Sequence, residues 1–244
     1  MYPPSNGSNF WDDRILRWEA GRYDGHLPVS LGPAELLASL FPRPTHDRQR
    51  LAIELLTPFI GNYEVLEIGC GTGRMARRFI EAGCKAYSGI DHSSVAVEAA
   101  WRRHGNDGLT SRIRFEVRAA NEIPTIGEEI VVSLGILDWL SDQELEELFR
   151  RQGSRHFFHS FSERSGNLLQ IGHRFCRAVD RLLRPRAVRP RYMTADHLIG
   201  LMRPARNSQL TFYRDAALRY ASFVSSLPLT NATLLASADS SAST

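Results

Sequence analysis

The stretch at 65–73, Val-Leu-Glu-Ile-Gly-Cys-Gly-Thr-Gly, constrains this chain more than any other. It opens as a short apolar run with β-branched residues and no polar alternation, the pattern of a strand buried on both faces. The run ends in three glycines at alternate positions. Such a turn admits backbone conformations closed to other residues and lets a ligand approach the main chain closely. Apolar Met75, Ala76, Phe79 and Ile80 then follow at helical spacing, so a helix is expected from near Gly73. A strand, a glycine turn and a helix that offers free N–H groups form a cradle for a small polar ligand. The dinucleotide fingerprint Gly-x-Gly-x-x-Gly fits poorly, because Arg74 stands where its last glycine belongs.

The strand-helix unit repeats in outline. Strands are expected over 85–90, 113–117, 129–134 and 156–161, with helices over 95–101, 145–149 and 168–183 between or after them. Alternation of this kind builds a parallel sheet covered by helices. Two runs at 209–214 and 219–224 read as an antiparallel hairpin. Ahead of the first strand, Trp11, Ile15, Leu16 and Trp18 suggest one amphipathic helix, and 51–60 a second. The expected fold class is therefore α/β, a Rossmann-like doubly wound, mostly parallel, seven-stranded sheet with a C-terminal antiparallel hairpin and N-terminal helices. The tail over 231–244 is mostly Ala, Ser and Thr, and is expected to be disordered and dispensable.

With 244 residues, one domain plus appended segments is expected, and no repeat of solenoid length interrupts it. No apolar run approaches the length that spans a bilayer, and the N-terminus lacks a secretory pattern, so a cytoplasmic protein is expected. Three cysteines, Cys70, Cys84 and Cys176, fit neither a disulfide framework nor a zinc site, and no metal is expected. The net charge of +3 is carried almost wholly by arginine, since Lys85 is the sole lysine. Arginine is dense from Arg150 to Arg219, where Arg174, Arg177, Arg181 and Arg184 fall at helical spacing. That density reads either as an anion-binding surface or as codon bias with a solvated face.

Glu67, followed two positions later by Gly69, Gly71 and Gly73, resembles the first motif of the class I S-adenosylmethionine-dependent methyltransferases. The resemblance covers roughly residues 51–161, with weaker agreement up to 224, and includes a loose similarity to magnesium-protoporphyrin O-methyltransferases. It implies S-adenosylmethionine as cofactor, with the methionine part backed by the loop through Gly69, Cys70, Gly71 and Gly73. Glu67 would place the amino group. Asp91, ending the second strand in Ser-Gly-Ile-Asp-His-Ser, would accept both ribose hydroxyls, a pairing a carboxylate can make; a helix cap is its structural alternative. His92, Ala120, Asn121 and Leu134 complete the implied cofactor set. Many relatives carry an aspartate where Ala119 stands, so adenine recognition falls to backbone groups or Asn121. The implied organisation is an N-terminal helical extension or lid at 1–60, a cofactor-binding methyltransferase domain at 61–228 and a tail at 229–244.

The acceptor is expected over the carboxyl ends of the fourth and fifth strands. Asp138 is the first candidate for a base or orienting group, with a helix cap as its alternative; His159 is the second, with a buried hydrogen-bonded histidine as its alternative. Trp139, and Arg22 and Tyr23 after the first helix, are candidate acceptor or lid contacts. The Asn/Asp-Pro-Pro-aromatic run of amine methylation and the cysteine of cytosine methylation are absent. The expected partner is a small-molecule acceptor, an anionic one being compatible with the arginines, methylated on oxygen in biosynthetic or cell-surface metabolism. Nucleic acid is not expected, because the arginines lack interleaved aromatics. Two rivals stand: a cofactor-binding module with weak catalysis, and an RNA-directed methyltransferase.

Overall fold

The computed structural model describes residues 11–23, 44–105, 108–123, 129–153, 155–164, 190–202, 210–229 and 233–235, with 21–23, 44 and 233–235 described by their backbone alone. Helices α1 (Ile15–Tyr23) and α2 (Pro44–Ile60) precede the sheet. Then follow β1 (Glu64–Ile68), α3 (Ala76–Glu81), β2 (Tyr87–Asp91), α4 (Ser94–His104), β3 (Ile113–Val117), β4 (Glu129–Leu134) and α5 (Asp142–Gln152). The described chain closes with β5 (Phe157–Ser162), α6 (Ala195–Met202), β6 (Leu210–Tyr213), β7 (Ala221–Ser225) and β8 (Thr233–Leu235).

The sheet order is β3-β2-β1-β4-β5-β7-β6-β8. Strands β1 to β5 pair in parallel, whereas β7 lies antiparallel between β5 and β6. This is the expected doubly wound sheet with its hairpin. Central strands β1, β4 and β5 are buried almost throughout because helices cover both faces. Alternate side chains divide into two cores: Val65, Ile130, Val132 and Phe158 pack with α2, α3 and α4, and Leu66, Val131, Phe157 and Phe161 pack with α5 and α6. Strand order reverses between β1 and β4, which places a crevice outside their carboxyl ends.

Local chemistry sets the helix starts. Ser141 and Glu144 form a reciprocal capping box: the Ser141 hydroxyl accepts from the Glu144 N–H at 3.3 Å, and the Glu144 carboxylate accepts from the Ser141 N–H at 2.8 Å. Ser93 caps α4, its hydroxyl accepting from the Ala96 N–H at 3.1 Å.

Four expectations change. Helix α3 starts at Ala76 rather than near Gly73, because Gly69, Gly71 and Gly73 all have positive φ and keep the loop out of helical geometry. Helix α2 begins at Pro44, a turn and more before residue 51. On α1, Ile15 is buried but Leu16 is exposed, and the face turned inward carries Glu19 instead. The seven expected strands are joined by an eighth, since Thr233–Leu235, inside the tail expected to be disordered, pairs antiparallel with β6. The open edge of β6 has unsatisfied N–H and C=O groups that such a segment can meet. The helix expected over 168–183, with Cys176, Arg174, Arg177, Arg181 and Arg184, lies outside the described residues.

Candidate functional site

Strands β1 and β2 end side by side, and each delivers a buried carboxyl group to the crevice. Glu67 is held on β1, with the Tyr87 hydroxyl donating to its Oε2. Burial, helped by the nearby carboxylates of Glu19 and Asp91 and opposed by the Tyr87 hydrogen bond, pushes the Glu67 pKa up to about 8. At neutral pH this carboxyl is mostly protonated. Asp91 ends β2; its Oδ2 accepts from the Gly71 N–H at 3.0 Å and its Oδ1 from the Ser93 N–H at 3.0 Å. Burial raises the Asp91 pKa and these two N–H groups oppose the rise. His92 sets its Nδ1 at 3.6 Å from Asp91 Oδ1.

The glycine loop runs between these carboxyls. Gly71 has φ +54°, and a Cβ built on it would fall 2.3 Å from Glu19 Oε1. Only glycine combines that conformation with such close approach. Cys70 is buried behind the loop, its thiol pushed well up by burial, and so is inert. Ala120 and Asn121 lie half-buried in a 3-10 turn just after β3, and Leu134 ends β4, also half-buried. The structure thus brings Glu67, Gly69, Cys70, Gly71, Gly73, Asp91 and His92 to the ends of β1 and β2, with Ala120, Asn121 and Leu134 on the flanking strand ends.

The segment around α1 closes over this crevice. Glu19 is buried; its Oε1 accepts from the Thr72 N–H at 2.9 Å, and its Oε2 accepts from the Thr72 hydroxyl and from Arg74 Nε at 2.9 Å. Asp12 accepts from the Ser93 hydroxyl at the start of α4. Trp11 meets Trp139 edge-to-face, ring centroids 4.9 Å apart. One short helix and its leading turn therefore touch the segments after β1, β2 and β4. The periodicity of residues 11–23 could indicate a helix, but nothing in it marks Glu19, which reads as a solvent-facing charge on an amphipathic surface. Backbone positions of Arg22 and Tyr23 end α1, and their side chains lie outside the described residues.

Asp138 and His159 are spent elsewhere. Asp138 is buried in the turn after β4, its Oδ1 accepting from the Ser162 N–H at 2.7 Å and its Oδ2 from the Ser162 hydroxyl at 2.6 Å. This arrangement ties the end of β5 to the β4 turn. His159 is fully buried within β5, opposite Ser133; Nδ1 lies 2.9 Å from Ser133 Oγ and Nε2 2.7 Å from Gln152 Oε1. Its ring stacks on Phe157 at 5.1 Å. The structure keeps its ring among core side chains, with a core polar group at each ring nitrogen. Among the described residues no group of His, Cys, Asp and Glu could hold a metal ion, and no helix is long and apolar enough to cross a membrane.

Comparison with known proteins agrees with this geometry. Residues 65–153 match the family described as a methyltransferase domain. The chain is 29% identical over 142 residues to the ribosomal protein L11 methyltransferase of Clostridium botulinum strain Eklund 17B, a match spanning 56% of this chain and 42% of that protein. The chain thus spans about two fifths of the length of the curated relatives it matches. Among solved structures, magnesium protoporphyrin IX methyltransferase from Synechocystis PCC 6803 with bound S-adenosylhomocysteine superposes with a TM-score of 0.66 at 14% identity, over 89% of this chain and 95% of the other. The [4+2]-cyclase SpnF superposes with a TM-score of 0.57 at 20% identity, over 90% of this chain and 79% of the other. These likenesses are of fold.

Proposed function

We propose, from the match of residues 65–153 to a methyltransferase domain and the resemblance of the Glu67–Gly73 motif to class I S-adenosylmethionine-dependent methyltransferases, that this chain methylates a small-molecule acceptor, on oxygen. The observation that carries the reading is the pairing of two buried carboxyl groups, Glu67 and Asp91, across a loop of left-handed glycines. A phosphate placed there would oppose the ionisation of both carboxyls. A ligand that brings a cation to one carboxyl and a vicinal diol to the other suits both.

In this reading S-adenosylmethionine supplies an electrophilic methyl group on a sulfonium centre. Glu67 would receive the amino group, its proton leaving as the cation arrives. Asp91 keeps an accepting lone pair free on each oxygen, beyond the two N–H groups it already serves, and would take the ribose hydroxyls. The loop at Gly69, Gly71 and Gly73 would back the methionine chain. His92, Ala120, Asn121 and Leu134 would flank the ribose and base, with the Asn121 amide or backbone groups meeting the adenine edge where Ala119 offers no carboxylate. Trp139, beneath Trp11, would form part of the acceptor wall. An acceptor hydroxyl held in line behind that methyl group would receive it, and would give its proton to solvent or a base. Catalysis then rests on alignment more than on a dedicated base.

The similarity to a magnesium protoporphyrin IX methyltransferase over nearly the whole of both chains favours a small acceptor. The relation to ribosomal protein L11 methyltransferases, over part of their length, makes a protein acceptor the reading to test against. Incubation of the full chain with methyl-labelled S-adenosylmethionine and three pools, a metabolite extract, ribosomal protein L11 and RNA, separates them. Label is expected in the small-molecule pool and is expected to vanish with Asp91→Ala. Label confined to protein or RNA overturns the acceptor assignment.

A further inference from the structure

We infer that Arg48 is an anchor for an oxyanion, a carboxylate or phosphate, on the methyl acceptor; the assignment rests on the methyltransferase reading above. Arg48 lies in the second turn of α2, yet its guanidinium reaches the far ends of two strands. Its Nη1 is 3.5 Å from the Ser160 hydroxyl on β5 and 2.7 Å from the place a Cβ would take on Gly135, just after β4. Gly135 has φ +107°, so the residue that leaves room for the guanidinium is also one whose backbone excludes a side chain.

The charge on Arg48 has no counterpart among the described residues. Six described arginines are at least half withdrawn from solvent. Five of them meet a carboxylate: Arg74 meets Glu19, Arg118 meets Glu116, Arg151 meets Glu147, Arg155 meets Glu129 and Arg191 meets Asp142. Among the described residues Arg48 has only the long contact to Ser160, and its Nε is buried without a hydrogen-bond partner there. A desolvated guanidinium with an unused donor is unfavourable unless something anionic completes it. Its planar fork suits an oxyanion that accepts two parallel N–H bonds.

Position gives this anion its meaning. The ends of β4 and β5 are where the fold presents an acceptor, beside the glycine loop that would hold the methyl donor. An acceptor fastened there by its charge has its neighbouring oxygen turned toward the methyl group. Ser160, buried at the same spot, adds a hydroxyl that can donate to the anion once Arg48 turns to it. In the sequence Arg48 is one of several charges on the second helix, and nothing there distinguishes it from Arg50, which is exposed and pairs with Glu54 at 2.8 Å.

The test uses the full chain saturated with S-adenosylhomocysteine and titrated with benzoate, phenyl phosphate and neutral benzamide. One or both anions are expected to bind and benzamide is not; which anion binds more tightly distinguishes a carboxylate from a phosphate acceptor. Arg48→Gln is expected to weaken the anion at least tenfold while leaving S-adenosylhomocysteine affinity within twofold, which also reports that the variant folds. Arg48→Lys, which keeps charge and stem but not the fork, is expected to fall between. Equal anion affinity in wild type and Arg48→Gln, or a loaded wild type that takes neither anion, overturns the assignment. Failure of the wild type to bind S-adenosylhomocysteine instead overturns the methyltransferase reading, and Arg48 falls with it.

Discussion

At the scale of single residues, the role proposed for Glu67 couples cofactor binding to protons. Its pKa stands near 8 in the folded chain against an ordinary value of 4.5, so the folded state holds a proton that the unfolded chain releases. Stability of the empty protein is therefore expected to fall as pH rises from about 4.5 to about 8. Binding runs the other way. A cationic amino group favours the carboxylate, so S-adenosylmethionine should bind up to about tenfold more tightly per pH unit on approaching pH 8 from below, releasing a proton. Titration calorimetry in buffers of different ionisation enthalpy measures that proton, and Glu67→Gln is expected to abolish both the release and the pH slope. A wild-type affinity flat from pH 6 to 8 contradicts the role. Asp138 offers a second test at this scale. Truncating it to Ala strands the Ser162 N–H and hydroxyl and should cost about 1–3 kcal/mol of stability. Asp138→Asn, which retains an acceptor and donates with its amide, should keep most of the stability and the rate; a large loss of kcat with the fold intact would restore Asp138 as a base. The sequence located Glu67, Asp91 and Asp138 at strand ends because apolar runs show where strands stop. It could not show which polar atoms each carboxyl meets, since Ser162 lies 24 positions beyond Asp138.

Among the elements, α1 and the turn before it are pinned at three points, by Trp11 on Trp139, Asp12 on Ser93 and Glu19 on Thr72 and Arg74. Glu19 is the pin that bears on the loop itself. Glu19→Ala is expected to speed amide hydrogen exchange over residues 11–23 while the strands keep their protection, and to raise KM for S-adenosylmethionine more than it lowers kcat. Exchange unchanged in that helix would show that the pin is dispensable. Helix existence was legible here from spacing, whereas the inward face was not: apolar Leu16 suggested one side, but the ion pair with Arg74 turned Glu19 inward and left Leu16 exposed. Likewise the glycines announced a tight turn, and their positive φ then delayed the start of α3 to Ala76.

For the whole molecule, sheet class follows from local pattern more directly than the site does. Continuous apolar strands alternating with helices require a parallel sheet, and the two closing runs require a hairpin, so the parallel body and its antiparallel end were readable, whereas the order of the strands comes from the structure. Strand β8 was not, because three residues in a Ser- and Ala-rich tail gain their order only from the open edge of β6. Removing residues 231–244 is expected to leave S-adenosylhomocysteine binding unchanged and to lower Tm by only a few degrees, read by thermal unfolding; loss of binding would give the tail a part in the site. The central claim concerns what the paired carboxyls and the glycine loop hold. Calorimetric titration of the full chain with S-adenosylhomocysteine and, in parallel, with NADH, repeated on Asp91→Ala, tests it most directly. The account predicts that S-adenosylhomocysteine alone binds and that the variant loses it; preference for NADH, or binding of neither, would contradict it.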